Sequence, residues 1–231
     1  MLQAIGLTKS YGEHTALDAL NLTINKGEIF CLLGQNGAGK TTTINLFLGF
    51  TSATSGSAKI NGIEVRPNDI ATKKFIAYIP EVVMLYGNLT GVENLDFFSR
   101  LAGFTYPPDQ LSDLLTRAGL QHEAHPTKVG TYSKGMRQKV GIAIALAKNA
   151  DAILMDEPTS GLDPKATAEF TTICKNMAAE GKAIFMATHD IFNAVNVASH
   201  IGIMKSGKLV HTLNTVDITA TGLQNLYLET I

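Results

Sequence analysis

The sequence predicts an α/β fold with a mostly parallel sheet, and two patterns support this. Short apolar runs alternate with helical patterns in the first and last thirds of the chain. Each run is nearly continuous, as expected of a strand covered on both faces. The predicted strands are Ile29–Leu33, Phe75–Ile79, Ala152–Met155, Ala183–Ala187 and Ile201–Met204. Helices between successive strands are typical of parallel sheets.

The second pattern is a central stretch, about 85–150, in which the signals are helical. Thr90 and Glu93 have the spacing of a capping box, which predicts the start of a first helix. Leu111, Leu114, Leu115 and Ala118 indicate a second helix. A third begins near Ser133 and places apolar residues on one face: Met136, Val140, Ala143, Ile144 and Ala147.

The chain therefore reads as one domain with an insertion. We expect residues 1–84 and 151–231 to form one core, with a helical subdomain of about 85–150 inserted between its two parts. No flexible linker or long repeat separates these parts.

Composition argues against some classes of protein. Lys and Arg total 19 against 20 Asp and Glu, so the chain lacks the basic excess typical of nucleic-acid binding. The longest apolar stretch, 141–147, is far shorter than the ~20 residues of a membrane span, and no secretory signal pattern is present. Cys31 and Cys174 lack metal-ligand spacing and are expected to be buried thiols.

A phosphate-binding loop is predicted between Gly34 and Thr41, which fit the P-loop spacing G-x-x-x-x-G-K-[ST]. Its glycines let successive N–H groups point at phosphate oxygens, and the following helix adds its positive end. Lys40 is expected to reach the β- and γ-phosphates, and the Thr41 hydroxyl to bind Mg²⁺. The predicted nucleotide-binding residues here are Gly34, Asn36, Gly37, Ala38, Gly39, Lys40, Thr41 and Thr42.

Two carboxylates follow the predicted strand Ala152–Met155. The carboxyl ends of strands are where α/β folds place ligands. Asp156 is expected to hold Mg²⁺, directly or through water, and Glu157 to act as the general base on the attacking water.

Beyond these motifs, the chain resembles the nucleotide-binding subunits of ABC transporters from about residue 2 to 213. The resemblance rests on six stretches in the order of that family: Tyr11, the P-loop, Ile79-Pro80-Glu81, Tyr132-Ser133-Lys134-Gly135-Met136, Asp156-Glu157-Pro158 with Ser160-Gly161-Leu162-Asp163, and Thr188-His189-Asp190. It implies a P-loop NTPase (RecA-like) core with an N-terminal antiparallel β region.

The resemblance also implies roles for single residues. Tyr11 would stack on adenine, and His189 would contact the γ-phosphate and join Lys40 and Glu157 in catalysis. Ser133, Gly135 and Asp163 would face the ATP of a second subunit across a head-to-tail dimer. The remaining histidines are expected at the surface: His14, His122, His125, His200 and His211.

Two of the six stretches, Tyr132-Ser133-Lys134-Gly135-Met136 and Ile79-Pro80-Glu81, depart from the commonest family pattern. Lys134 replaces a glycine of the Leu-Ser-Gly-Gly-Gln signature, and Glu81 replaces a glutamine. Glutamate still offers an oxygen to a hard cation, so Glu81 is kept as a Mg²⁺ ligand. Both variants resemble the ABC-2-type exporter branch. Lys134, Arg137 and Lys139 form a basic cluster that ATP across the interface, or a solvated helix face, explains better than nucleic acid.

The predicted function is ATP hydrolysis that energises a separate transmembrane permease for export. ATP and Mg²⁺ are the implied cofactors, and the second ATPase subunit is either identical or a sister chain. The resemblance implies a cytoplasmic protein, peripheral on the membrane face, with no nucleic-acid partner. Two alternatives are a soluble ABC ATPase acting on ribosomes or DNA, and a nucleotide-binding regulator without hydrolysis.

Overall fold

Two β-sheets form the centre of the structure, a computed structural model that describes residues 1–231. The strands are β1 (Leu2–Tyr11), β2 (His14–Ile24), β3 (Ile29–Leu33), β4 (Ser55–Ile60), β5 (Ile63–Glu64), β6 (Ile76–Ile79), β7 (Ala152–Asp156), β8 (Ala183–Thr188), β9 (His200–Lys205) and β10 (Lys208–Asn214). The helices are α1 (Lys40–Phe47), α2 (Gly91–Leu101), α3 (Pro108–Arg117), α4 (Lys134–Ala147), α5 (Pro164–Ala179), α6 (Ile191–Val197) and α7 (Ala220–Thr230).

The larger sheet has six strands in the order β10-β9-β3-β8-β7-β6. Its neighbours pair in parallel except for β10, which pairs with β9 in the antiparallel sense. The predicted α/β class and mostly parallel sheet are therefore confirmed. All five predicted strands are present, although Phe75 ends a 3₁₀ turn, Lys73–Phe75, and its strand begins at Ile76.

Side chains of the central strands alternate between two separate apolar cores. Ile29, Cys31 and Leu33 of β3 face the core shared with α2 to α7, whereas Phe30 and Leu32 face the core shared with α1 and the smaller sheet. Because both faces are covered, β3 has no exposed side chain. Cys31 and Cys174 are both fully buried, as predicted.

The smaller sheet is antiparallel, with four strands in the order β2-β1-β4-β5. It is built mainly from the N-terminal strands, as the family resemblance implied. Residues Tyr11 and His14 are register partners at the closed end of the β1–β2 hairpin. This end of the hairpin reaches the P-loop, as described below.

The central part of the chain contains α2, α3 and α4, which pack against one another. Thr90 and Glu93 form the predicted capping box at the start of α2, and Ser133 caps α4 through Met136 N–H. The prediction that α4 buries one face was too narrow. Of the predicted residues, Val140, Ala143 and Ala147 are buried, whereas Met136 and Ile144 are half-buried. Gln138, Gly141, Ile142 and Ala145 are buried in addition, because this helix lies between α2, α3 and β6.

His125 corrects a second prediction. It was expected at the surface, but its side chain is 2% exposed. The ring is held by Ser112 Oγ, 3.0 Å from Nδ1, and by the Leu120 carbonyl, 3.1 Å from Nε2. A histidine with both nitrogens satisfied is tolerated in a core, and apolar spacing alone does not reveal such partners. No helix has the length and apolar content needed to span a membrane.

Candidate nucleotide site

The P-loop connects β3 to α1, and its glycines are required by the geometry. Gly39 has φ of 111°, and a Cβ built there would lie 2.6 Å from the Ala16 carbonyl oxygen. Gly34 passes so close to Met204 that a Cβ would lie 2.7 Å from its carbonyl oxygen. Because Gly39 caps α1 without a side-chain bond, the first N–H groups of this helix are left for an anion.

Lys40 lies at the start of α1 with its side chain 6% exposed. Its ammonium donates to the carbonyl oxygens of Gly34 at 2.6 Å and Gln35 at 3.3 Å. It also lies 3.8 Å from Glu157 Oε1. The loop therefore holds one buried cation beside one carboxylate, at the position where the sequence predicts the β- and γ-phosphates.

A cavity of about 440 Å³ opens over this loop. It brings together most of the predicted residues, and it is lined by Tyr11, His14, Ala16, Gln35, Asn36, Gly37, Gly39, Lys40, Thr41, Thr42, Glu81, Asp156 and Glu157. Gly34, Ala38 and the predicted catalytic residue His189 do not line it. The carbonyl oxygen of Gly34 accepts a hydrogen bond from the Lys40 ammonium. The backbone N–H of Ala38 donates to the Gln35 carbonyl oxygen within the loop, at 3.1 Å.

Three lining residues were not predicted: His14, Ala16 and Gln35. His14 is exposed, as expected, but the hairpin places it opposite Tyr11 at the rim. Gly12 and Glu13 join the two strands, and a two-residue connection that contains glycine is a weak hairpin signal in the sequence. Tyr11 itself is 51% exposed, and the Lys9 ammonium lies 4.7 Å from its ring centroid.

Thr41 and Asp156 meet at the end of β7, where the Thr41 hydroxyl donates to Asp156 Oδ2 at 3.0 Å. Burial raises the pKa of Asp156, the Thr41 bond and Lys40 lower it, and Glu157 and Glu81 raise it further. No three acidic, cysteine or histidine side chains form a metal cage. The Thr41 hydroxyl with the Asp156 carboxylate is a donor set that suits Mg²⁺, because Mg²⁺ in proteins usually binds one or two carboxylates together with the phosphates of the substrate.

Glu157 follows Asp156 with its backbone at φ 45°, a conformation that is uncommon for a non-glycine residue. Its backbone N–H donates to the Ala187 carbonyl at 2.8 Å. The side chain is 15% exposed and lies between Lys40 and His189. His189 Nδ1 is 2.8 Å from Glu157 Oε2, so the predicted base, lysine and histidine are brought together.

Glu81 lies just after β6 and lines the same cavity. Its Oε1 accepts a hydrogen bond from the Ser160 hydroxyl at 3.0 Å, a contact that the sequence did not predict. The Lys134 ammonium lies 4.0 Å from the same oxygen.

Ser133, Gly135 and Asp163 lie together elsewhere, around a second cavity of about 280 Å³. This cavity shares no lining residue with the first. Ser133 Oγ accepts from Met136 N–H at 3.2 Å, and Asp163 Oδ1 accepts from Ala166 N–H at 2.9 Å. Both side chains therefore cap helices, and the second cavity contains the N-terminus of α4.

Comparison with known proteins decides the family. The sequence pattern described as "ABC transporter" matches residues 17–160. The chain belongs to the ABC transporter family. It is an ABC-type ATPase, because its P-loop, strand-end carboxylates and whole fold agree with that assignment.

Relatives within the ABC family are ATP-binding proteins of transport systems. The chain is 36% identical to a bacitracin transport ATP-binding protein of Bacillus licheniformis, over 92% of this chain and 69% of that protein. It is 35% identical to a lantibiotic transport ATP-binding protein of Streptococcus pyogenes, over 91% of this chain and 89% of that protein.

A solved ABC cassette has the same fold. This structure is a dimer in a post-hydrolysis state bound to ADP and Pi. It is 28% identical to the chain, with a TM-score of 0.81, and the match covers 93% of this chain and 99% of that one.

Proposed function

We propose that this chain is the ATP-binding and ATP-hydrolysing subunit of an export-type ABC transporter and energises a separate transmembrane permease. The observation that carries the proposal is the position of Glu157. It lies at the end of β7, beside the Thr41–Asp156 contact, and its carboxylate touches both Lys40 and His189. A base, a phosphate-binding cation and a magnesium site thus share one cavity.

The residues divide the work of phosphoryl transfer to water. Lys40 and the first N–H groups of α1 bind the β- and γ-phosphates, and Tyr11 stacks on the adenine at the rim. Thr41, Asp156 and Glu81 would hold Mg²⁺, which neutralises phosphate charge when bound. Glu157 accepts the proton of the attacking water, and His189, which lies against that carboxylate, would hold it in place and contact the γ-phosphate.

A dimer completes the site in this proposal. Ser133, Gly135 and Asp163 lie around a cavity that is separate from the P-loop cavity of the same chain. They therefore serve the ATP of a second subunit, with the N-terminus of α4 facing its γ-phosphate. The dimeric cassette at 28% identity supports this arrangement.

The permease surface is proposed around the segment after Glu81. Val82, Met84 and Tyr86 are 58%, 79% and 49% exposed, and the nearby Leu101 of α2 is 75% exposed. Exposed apolar side chains grouped in this way mark binding surfaces. Buried Asn94 fixes the segment by bonding both the N–H and the carbonyl of Tyr86, at 2.9 and 3.0 Å.

This surface couples two units in the proposal: the core of residues 1–84 and 151–231, and the helical subdomain of about 85–150. Movement of the helical subdomain against the core, driven by the nucleotide, would be transmitted to the permease through the exposed segment from Val82 to Tyr86. The chain would then be peripheral on the cytoplasmic face of the membrane. Export is supported by the bacitracin and lantibiotic relatives, whose names do not favour ribosomes or DNA as partners.

Purification from membranes tests the proposal with a matched pair of variants. Leu101→Asp is expected to lose an integral membrane protein that copurifies with the wild-type chain, while isolated ATPase activity stays within twofold. Leu228→Asp on α7 is the control, because that leucine is also exposed, at 67%. Copurification of the wild-type chain with ribosomes instead would contradict the permease proposal.

A further inference from the structure

Glu81, Lys134 and Ser160 come from three separate segments and meet at one oxygen atom. Glu81 Oε1 accepts from the Ser160 hydroxyl at 3.0 Å and lies 4.0 Å from the Lys134 ammonium. The Lys134 side chain also lies along the backbone of Gly161: a Cβ built on Gly161 would lie 3.6 Å from the Nζ atom of Lys134. Glu81 and Lys134 are two of the positions at which the sequence departs from the common family pattern.

This cluster joins the two cavities of one chain. Glu81 lines the P-loop cavity and Lys134 lines the second cavity, although the cavities share no lining residue. Ser160 stands between them, in the loop that connects β7 to α5. The negative charge of Glu81 in the P-loop cavity is therefore balanced by the positive charge of Lys134 from the second cavity.

Without its partner, the charge of either side chain, the Glu81 carboxylate or the Lys134 ammonium, would lie in an electrostatically unfavourable place. Glu81 adds a negative charge to a cavity that already contains Asp156 and Glu157, and it faces the position proposed for the triphosphate. Lys134 is the first residue of α4, where the positive end of the helix dipole disfavours a cation.

We propose that Glu81 and Lys134 are a matched positioning pair, in which Lys134 neutralises Glu81 and holds its Oε1 on Ser160, so that the carboxylate does not repel the triphosphate and Oε2 stays available for the Mg²⁺ proposed above. This inference rests on the proposed function, because it concerns the nucleotide that the P-loop cavity binds. It assigns Lys134 an action through Glu81 of the same chain. Direct contact with ATP of the second subunit is the competing role.

A double-mutant cycle on the full chain separates the two roles. Lys134→Gly is expected to raise the KM for Mg-ATP about fivefold, the size of one uncompensated charge several ångströms from a triphosphate. In a Glu81→Gln background, the same Lys134→Gly change is expected to leave KM within twofold. Since the pair is partly exposed, the melting temperature should stay nearly constant in all variants. An equal rise of KM in both backgrounds would overturn the pairing.

Two further measurements complete the test. Lys175→Gln removes an exposed lysine that makes no ion pair and lies outside both cavities, so its KM should match the wild type. In nucleotide-free protein, Lys134→Gln should move the carboxyl ¹³C resonance of Glu81, and Lys175→Gln should not. If the Glu81 resonance does not move in Lys134→Gln, the proposed Glu81–Lys134 pair is refuted. If the wild-type chain does not hydrolyse ATP, the proposed function is refuted, and the resonance alone then tests the pair.

Discussion

His189 Nδ1 lies 2.8 Å from Glu157 Oε2, and the backbone N–H of His189 donates to the same oxygen at 3.3 Å. The other oxygen of Glu157 lies 3.8 Å from the Lys40 ammonium. One carboxylate is thus held at both oxygens, from β8 on one side and from the P-loop on the other.

His189→Ala is expected to lower kcat about tenfold to a hundredfold, because outer partners that orient a catalytic group typically contribute that much. The KM for ATP should change little, since Lys40 and the P-loop stay in place. Steady-state turnover at saturating Mg-ATP measures the effect, with His211→Gln on β10 as the control. A raised KM with unchanged kcat would show that His189 acts in binding instead.

Asp156→Asn is expected to stabilise the metal-free protein at neutral pH. Burial raises the pKa of Asp156, so between its ordinary and raised values the native state keeps a proton that the unfolded state has lost. The free energy of unfolding therefore falls as pH rises through that window, and the loss persists at higher pH. The neutral amide removes this loss and still accepts from Thr41.

Thermal unfolding in a chelator checks this prediction. The melting temperature of Asp156→Asn should exceed that of the wild type at neutral pH, and the difference should shrink in acid. Mg²⁺-dependent turnover should fall in the same variant. A lower melting temperature at neutral pH would mean that the carboxylate is stabilising where it lies.

His125→Ala is expected to destabilise the protein by about 2–4 kcal/mol, because it opens a buried space and leaves the Leu120 carbonyl and Ser112 hydroxyl unpaired. Turnover per folded molecule should be retained, since His125 lies outside both cavities. Urea unfolding measures the loss. His122→Ala, at an exposed neighbour, should cost far less, and equal losses would place the energy elsewhere.

Much of the site was predictable because it lies at chain positions with strong local constraints. Gly39 and Gly34 are required by backbone approach, and Asp156 and Glu157 end a buried strand. Parallel strands place such ends at one edge of the sheet, so Thr41 and Asp156 meet although far apart in sequence.

The unpredicted features depend on contacts between distant segments. His125 is buried because Ser112 of α3 satisfies its ring, and local spacing gives no sign of that partner. The Ser160 bond to Glu81 likewise needs the β7–α5 loop to return to the end of β6. β10 was missed because an edge strand with alternating exposure has a weak apolar signal.

Glu157→Gln with Mg-ATP, with turnover and particle mass measured together, tests both the general base and the shared site. We expect a loss of hydrolysis of at least about a hundredfold, the usual contribution of a general base, with ATP still bound. We also expect a stable dimer that holds two ATP molecules, while Glu229→Gln behaves as the wild type. Undiminished hydrolysis by a Glu157→Gln chain that stays monomeric in ATP would contradict both the assigned base and the shared site.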